Sequence, residues 1–203
     1  MRECVTTLDL LRHGEPVGGR RFRGAVDDPL SPLGWAQMRA AVGDHRPWQV
    51  IVSSPLKRCA EFAAELAERH GLPLELAPDL REISFGQWDG RSVAEIEAEQ
   101  SAALGRFWAD PIHHPPPGGE SLAAFAARVQ RTWAELLARH AGRHLLLICH
   151  GGTIRALLCA VLDIPLTRLW RLDVPYAALS RVRVYGTGEA ASPLLLFHAG
   201  SLG

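Results

Sequence analysis

Two histidines far apart in this chain stand in the same setting. His13 follows the apolar run Leu8-Asp9-Leu10-Leu11-Arg12 and precedes Gly14-Glu15, while His150 ends Leu145-Leu146-Leu147-Ile148-Cys149 and precedes Gly151-Gly152-Thr153. An imidazole titrates near neutrality, at about 6.5 when unperturbed, so either ring can act as a neutral nucleophile or carry a proton. Arg12 argues against a cationic ligand and for an anion, because guanidinium offers a planar fork of donors that matches phosphate and stays charged. A lone histidine at a strand tip is ordinarily structural, but the echo at His150 favours chemistry. Gly151 and Gly152 let the backbone approach a ligand closely where a strand turns into a helix, whose first free N–H groups are a ready anion site.

Lys57 and Arg58 fall in the first turn of a helical pattern, where the helix dipole favours negative charge. An oxyanion bound beside Arg58 would relieve that conflict; Lys57 reads as a solvated surface residue. Phosphoryl transfer from an ester also needs a proton donor, since an alkoxide is a poor leaving group. A carboxylic acid in a partly desolvated loop can supply the proton. Glu82, set among Ile83, Phe85 and Trp88, fits that description, and Glu15 is nearer to His13 in sequence. Spacing alone leaves both open.

The elements that must position these residues follow from periodicity and punctuation. Leu8 to Leu11 and Leu145 to Cys149 read as strands covered on both faces. If they run parallel in one sheet, both histidines lie outside its carboxyl edge, where open α/β sheets bind ligands. Ser31-Pro32 predicts a capped helix through Val42, Gln49 to Ser53 a short strand, and Ser54-Pro55 a second helix start, with the stop at His70-Gly71. Leu74 to Leu76 reads as a third short strand and Ser92 to Trp108 as a helix. Asp110 to Gly119 is too rich in proline for a regular element. Ser121 caps an amphipathic helix with Leu122, Phe125, Val129, Trp133 and Leu136 on one face, ended by Gly142. Gly152 to Leu162 reads as a further helix, and Leu179 to Tyr185 and Leu194 to His198 as late strands. Strands alternating with helices predict a three-layer α/β/α sandwich with a mostly parallel central sheet, in a single domain over residues 1–203.

The 22 basic and 22 acidic residues balance, which removes any global field toward nucleic acid or an anionic membrane. No apolar run approaches the roughly 20 residues needed to span a bilayer, and Met1 to Leu8 lacks the core of a leader peptide. Cys4, Cys59, Cys149 and Cys159 show no CxxC spacing and read as reduced packing residues, which fits the cytoplasm.

Leu-Arg-His-Gly-Glu at 11–15, Ser-Ser-Pro-Leu-Lys-Arg at 53–58, Leu-Arg-Glu with Gly-Gln-Trp-Asp-Gly at 80–90 and Cys-His-Gly-Gly at 149–152 together resemble the histidine phosphatase (phosphoglycerate mutase-like) superfamily. The resemblance spans nearly the whole chain, in order. It implies that His13 becomes phosphohistidine, that Arg12, Arg58 and His150 clamp the phosphoryl group, and that Glu82 rather than Glu15 is the acid and later the base. Arg-Arg-Phe-Arg-Gly at 20–24, Asp-Asp-Pro-Leu-Ser at 27–31 and Pro-Gly-Gly-Glu-Ser at 117–121 look most like the short bacterial phosphatases, including α-ribazole phosphatases. On that footing Arg23, Gly24 and Gly151 join the phosphate- or substrate-binding set. The segment after His13 and the region from Gly86 to Glu95 are shorter than in members with mutase activity, which implies hydrolysis. The expected enzyme uses no metal or other cofactor and takes a small-molecule phosphate ester, α-ribazole 5′-phosphate among the candidates. Its late strands could pair two copies into a homodimer. Three other readings use the same residues: phosphoglycerate mutase-type transfer, a metal site on His13, His150 and Glu82, and a phospho-ligand binder without turnover. Two arginines beside such a metal site would repel the cation.

Overall fold

The structure is a computed structural model that describes residues 4–202; the reading of the first residues falls in part on 1–3, outside that range. Six strands form one sheet in the order β3-β2-β4-β1-β5-β6. They are β1 (Val5–Arg12), β2 (Val50–Ser53), β3 (Leu74–Leu76), β4 (His144–Cys149), β5 (Leu179–Tyr185) and β6 (Ser192–Gly200). β3, β2, β4 and β1 pair in parallel, whereas β5 runs antiparallel to both β1 and β6. The register places Arg12 beside Cys149 and Ser53 beside Ile148. Three neighbouring strands therefore release His13, His150 and Ser54 at one edge.

The apolar runs of β1 and β4 are continuous because each face of the sheet is covered. Leu8 and Leu10 of β1, with Leu145 and Leu147 of β4, pack under α3 (Val93–Ala109), α4 (Leu122–Arg139) and α5 (Gly151–Val161). Leu11, Leu146 and Ile148 face the other way, under α1 (Pro32–Val42) and α2 (Lys57–His70). The alternation is the strand period of two expressed as two cores, and it gives the expected α/β/α sandwich. No helix among the described residues is long and apolar enough to cross a membrane.

Most predicted helix limits hold for the predicted reasons. Ser31 accepts from the Gly34 N–H at the start of α1, and Ser92 and Glu95 cap α3 reciprocally. Gly71 ends α2 in the left-handed conformation. Two limits move. α2 begins at Lys57, not Ser54-Pro55, and Leu56 precedes it without a side-chain cap; Asp27 instead accepts from the Lys57 N–H at 2.6 Å. α4 ends at Arg139, capped by the His140 N–H on Leu136 O, and Gly142 lies two residues further on in the turn to β4. Cys59, Cys149 and Cys159 are buried and unpaired, as packing residues should be.

One buried charge stands apart from the site. Asp9 on β1 is fully enclosed and accepts from Trp48 Nε1, His144 Nε2 and the Arg181 guanidinium. Burial pushes its carboxyl up, but the hydrogen bonds from His144, Arg181 and Trp48 together outweigh burial and hold it below the usual carboxylate value. Its contribution to stability is thus present above that value and lost as pH falls through the folded one. Asp9→Ala strands one buried and two half-buried donors and is expected to cost about 3 kcal/mol, read as a lower urea midpoint.

Candidate active site

His13 leaves β1 with its backbone N–H on Cys149 O, which locks it to the neighbouring strand. Its Nδ1 lies 2.7 Å from Gly14 O. A carbonyl can only accept, so Nδ1 carries the proton and the lone pair of the neutral ring is on Nε2. The His13 and His150 rings meet edge to face with centroids 5.2 Å apart. Burial first, then the charges of Arg12 and Arg58, push His13 well below the ordinary imidazole value of 6.5. Burial, then Arg58 and His13, do the same to His150. Both rings are therefore neutral across the physiological range.

Arg58 points back from the first turn of α2 to the sheet edge, where it is completely buried. Its Nε donates to His150 Nδ1 at 3.3 Å, and its other nitrogens donate to the carbonyls of Val26, Arg23 and Gly24. His150 Nε2 then donates to Ser54 Oγ at 2.7 Å. Cys59, whose thiol burial pushes up to about 12, packs against the same ring. Arg12 donates one guanidinium nitrogen to Val174 O and lies 4.1 Å over the Tyr176 ring. Its Nε is enclosed and has no partner. Neither Arg12 nor Arg58 forms an ion pair with a carboxylate among the described residues. A buried cation without a counter-ion is costly, and here the fully buried Arg58 and the half-buried Arg12 flank one neutral imidazole.

Glu82 reaches the site from the far edge of the sheet. The chain leaves β3, turns at Pro78–Leu80, and brings the Glu82 carboxylate onto the start of α5, where it accepts from the N–H groups of Gly152 at 2.9 Å and Ile83 at 3.0 Å. The sequence predicts a first turn of α5 free for an anion, whereas Glu82 occupies part of it. A Cβ on Gly152 would lie 2.2 Å from Glu82 Oε1, so the glycine is needed for this contact. Glu15 is elsewhere, held at the start of α1 by Gln37 and Ser31.

A cleft of about 150 Å³ opens over Arg12, His13, Glu82, Gly151 and Gly152, with Arg58 and His150 beneath it. The structure so brings together all five predicted catalytic residues and Gly151. The other two binding candidates differ. Arg23 borders the cleft, with its guanidinium anchored on Asp28, Gly19 O and Val17 O. Gly24 lines a separate hollow, its N–H taken by Asp89 and its carbonyl by Arg58. Both build the loop that seats Arg58.

Four residues escaped the sequence reading. Arg155 borders the cleft one turn after Gly151; a charge inside an otherwise apolar helix was its signal. Tyr176 comes from an irregular loop and had none. Ser54 sets the His150 tautomer. Arg128 on α4 pins the Glu82 loop, donating to the carbonyls of Asp79, Arg81 and Glu82 while paired in a fork with Glu120.

The family model described as the histidine phosphatase superfamily (branch 1) matches residues 8–193. The bifunctional protein Rv2228c of Mycobacterium tuberculosis is 35% identical over 199 residues, covering 96% of this chain and 54% of that protein. The chain thus spans about half the length of that relative. Glucosyl-3-phosphoglycerate phosphatase of the same organism is 37% identical over 171 residues, covering 78% of this chain and 76% of its own. The native structure of that mycobacterial phosphatase, Rv2419c, superposes with a TM-score of 0.85 at 32% identity, over 97% of this chain and 99% of the other. The α-ribazole phosphatase of Shigella flexneri gives a TM-score of 0.82 at 24% identity, over 97% and 98%, a likeness of fold alone.

Proposed function

The chain belongs to the histidine phosphatase superfamily, and we propose that it is a phosphoric monoester hydrolase, a single-domain, metal-independent phosphatase that works through a phosphohistidine on His13. The observation that carries this reading is the pair of guanidiniums, Arg58 fully buried and Arg12 half-buried, without carboxylate partners on either side of a neutral imidazole. A phosphoryl dianion is the counter-ion such a pocket lacks.

In the first step His13 Nε2 forms a bond to phosphorus as the bond to the leaving oxygen breaks, and Glu82 gives that oxygen its proton. In the second, Glu82 takes a proton from water, the resulting hydroxide attacks phosphorus, and the Nε2–P bond breaks to release phosphate. Arg12, Arg58 and the backbone at Gly151 hold the equatorial oxygens, and the His150 Nε2–H joins them by exchanging Ser54 Oγ for a phosphoryl oxygen. Ser54 and Arg128 act through others, by fixing the His150 ring and the Glu82 loop.

The substrate is a small-molecule phosphate monoester. α-Ribazole 5′-phosphate and glucosyl-3-phosphoglycerate are the named candidates, and their kcat/KM values side by side would rank them. The unpaired cysteines favour a cytoplasmic setting, and the late strands are the surface we assign to a homodimer. Phosphate release from an aryl phosphate in excess chelator tests the core of the proposal: undiminished turnover is expected, and full loss would overturn the metal-free mechanism.

Gly152→Ala separates the acid from the fold. The clash is with the end of a flexible side chain, so folding should survive while the carboxylate is displaced. The expected result is a fall in kcat of about 10²-fold on an alkyl phosphate with an unchanged melting temperature.

A further inference from the structure

Beyond Tyr176 the cleft does not end. It continues into a second hollow of about 290 Å³, which shares Arg12, Arg21, Phe22 and Tyr176 with the first and adds Arg20, Trp108 and Val93 as outer walls. Trp108 is 45% exposed and Val93 47% exposed. An indole left this open is unusual beside a site whose other surfaces are charged, and the surroundings show that it is held rather than loose. Trp108 packs against Phe107 at 5.0 Å and Trp170 at 5.6 Å between centroids, and Phe22 lies 5.9 Å away. Tyr176, the shared wall, is held against the Arg12 guanidinium. The shelf is therefore rigid, aromatic and continuous with the groups that would hold phosphate.

We infer that this shelf, walled by Phe22, Val93, Trp108 and Tyr176, is a specificity subsite for a ring in the leaving group, so that the natural substrate is a phosphate ester of a ring-bearing alcohol rather than a small acyclic one. The inference rests on the phosphatase reading and narrows it. A flat ring entering the shelf covers the open indole face and gains both apolar burial and stacking, whereas a short acyclic alcohol ends at the inner cleft and leaves the shelf wet. Rigid aromatic walls keep the ordering cost of that contact low.

Ethyl phosphate and 2-phenylethyl phosphate test it, because both leave as primary alkoxides and differ chiefly in the ring. The wild-type enzyme is expected to favour the phenylethyl ester by about tenfold or more in kcat/KM. Trp108→Ala should bring the ratio to within about threefold of unity. Val93→Asp, at the first position of α3 where an acid suits the helix dipole, should lower it independently of the aromatic cluster. Equal efficiency on the two esters in the wild-type enzyme, or a preference that survives both substitutions, overturns the subsite while leaving the phosphatase reading intact. Hydrolysis of neither ester, nor of an aryl phosphate, would overturn both.

Discussion

Alanine at His13 is expected to lower kcat/KM on any phosphate ester by at least about 10⁴-fold, since it removes the atom that bonds to phosphorus and leaves only binding and the arginine clamp. The fold should persist, because the hydrogen bonds that seat this position are those of the backbone to Cys149 and Ala177. The pH dependence gives a second reading of the same residue. Burial, Arg12 and Arg58 hold His13 well below 6.5, so its protonation cannot set an acid limb of kcat/KM at or above that value. For stability the sign is equally definite. The folded-state value lies below the unfolded one, so the unfolded chain takes up the proton first and stability falls as pH drops below about 6.5. His150 adds to the same slope. A bound oxyanion should flatten it, and inorganic phosphate in a thermal melt at pH 6 checks this.

Glutamine at Glu82 is the second large effect. It keeps an oxygen for the Gly152 N–H and so leaves the loop in place, but it can neither give nor take the proton. A loss of about 10²–10⁴-fold is expected on an alkyl phosphate. An aryl phosphate, whose leaving group needs no proton, should lose less in the first step, and because the base of the second step is also gone the phosphoenzyme should accumulate. Equal losses on both esters without accumulation would assign Glu82 a structural role.

What could be read before the structure was what local pattern controls. The apolar runs of β1 and β4 had to be buried on both faces, and once parallel they could only deliver His13 and His150 to the same edge. Ser31-Pro32 starts a helix because its partners lie within one turn. Ser54-Pro55 has the same look and does not, since the Ser54 hydroxyl is engaged by His150 and the open N-terminus of α2 is met by Asp27, both distant in sequence. The misplaced charge at Arg58 was legible for the complementary reason: a local rule was broken, and the site explains why. Arg23 borders the cleft as the motif implies, while the Gly24 N–H turns to Asp89, because motif position does not say which way an N–H points. Arg128 and Tyr176 were invisible, as their value lies in carbonyls and a guanidinium brought to them by the fold.

The central claim is a covalent bond between His13 and phosphorus, and trapping it is the most direct measurement. The protein is mixed with a ³²P-labelled phosphate monoester, quenched in alkali within milliseconds, and the label mapped by peptide. The expected result is an acid-labile phosphoryl group on His13 that forms before steady-state turnover and is enriched in Glu82→Gln. Turnover with no protein-bound label in either protein, or label on another residue, would contradict it.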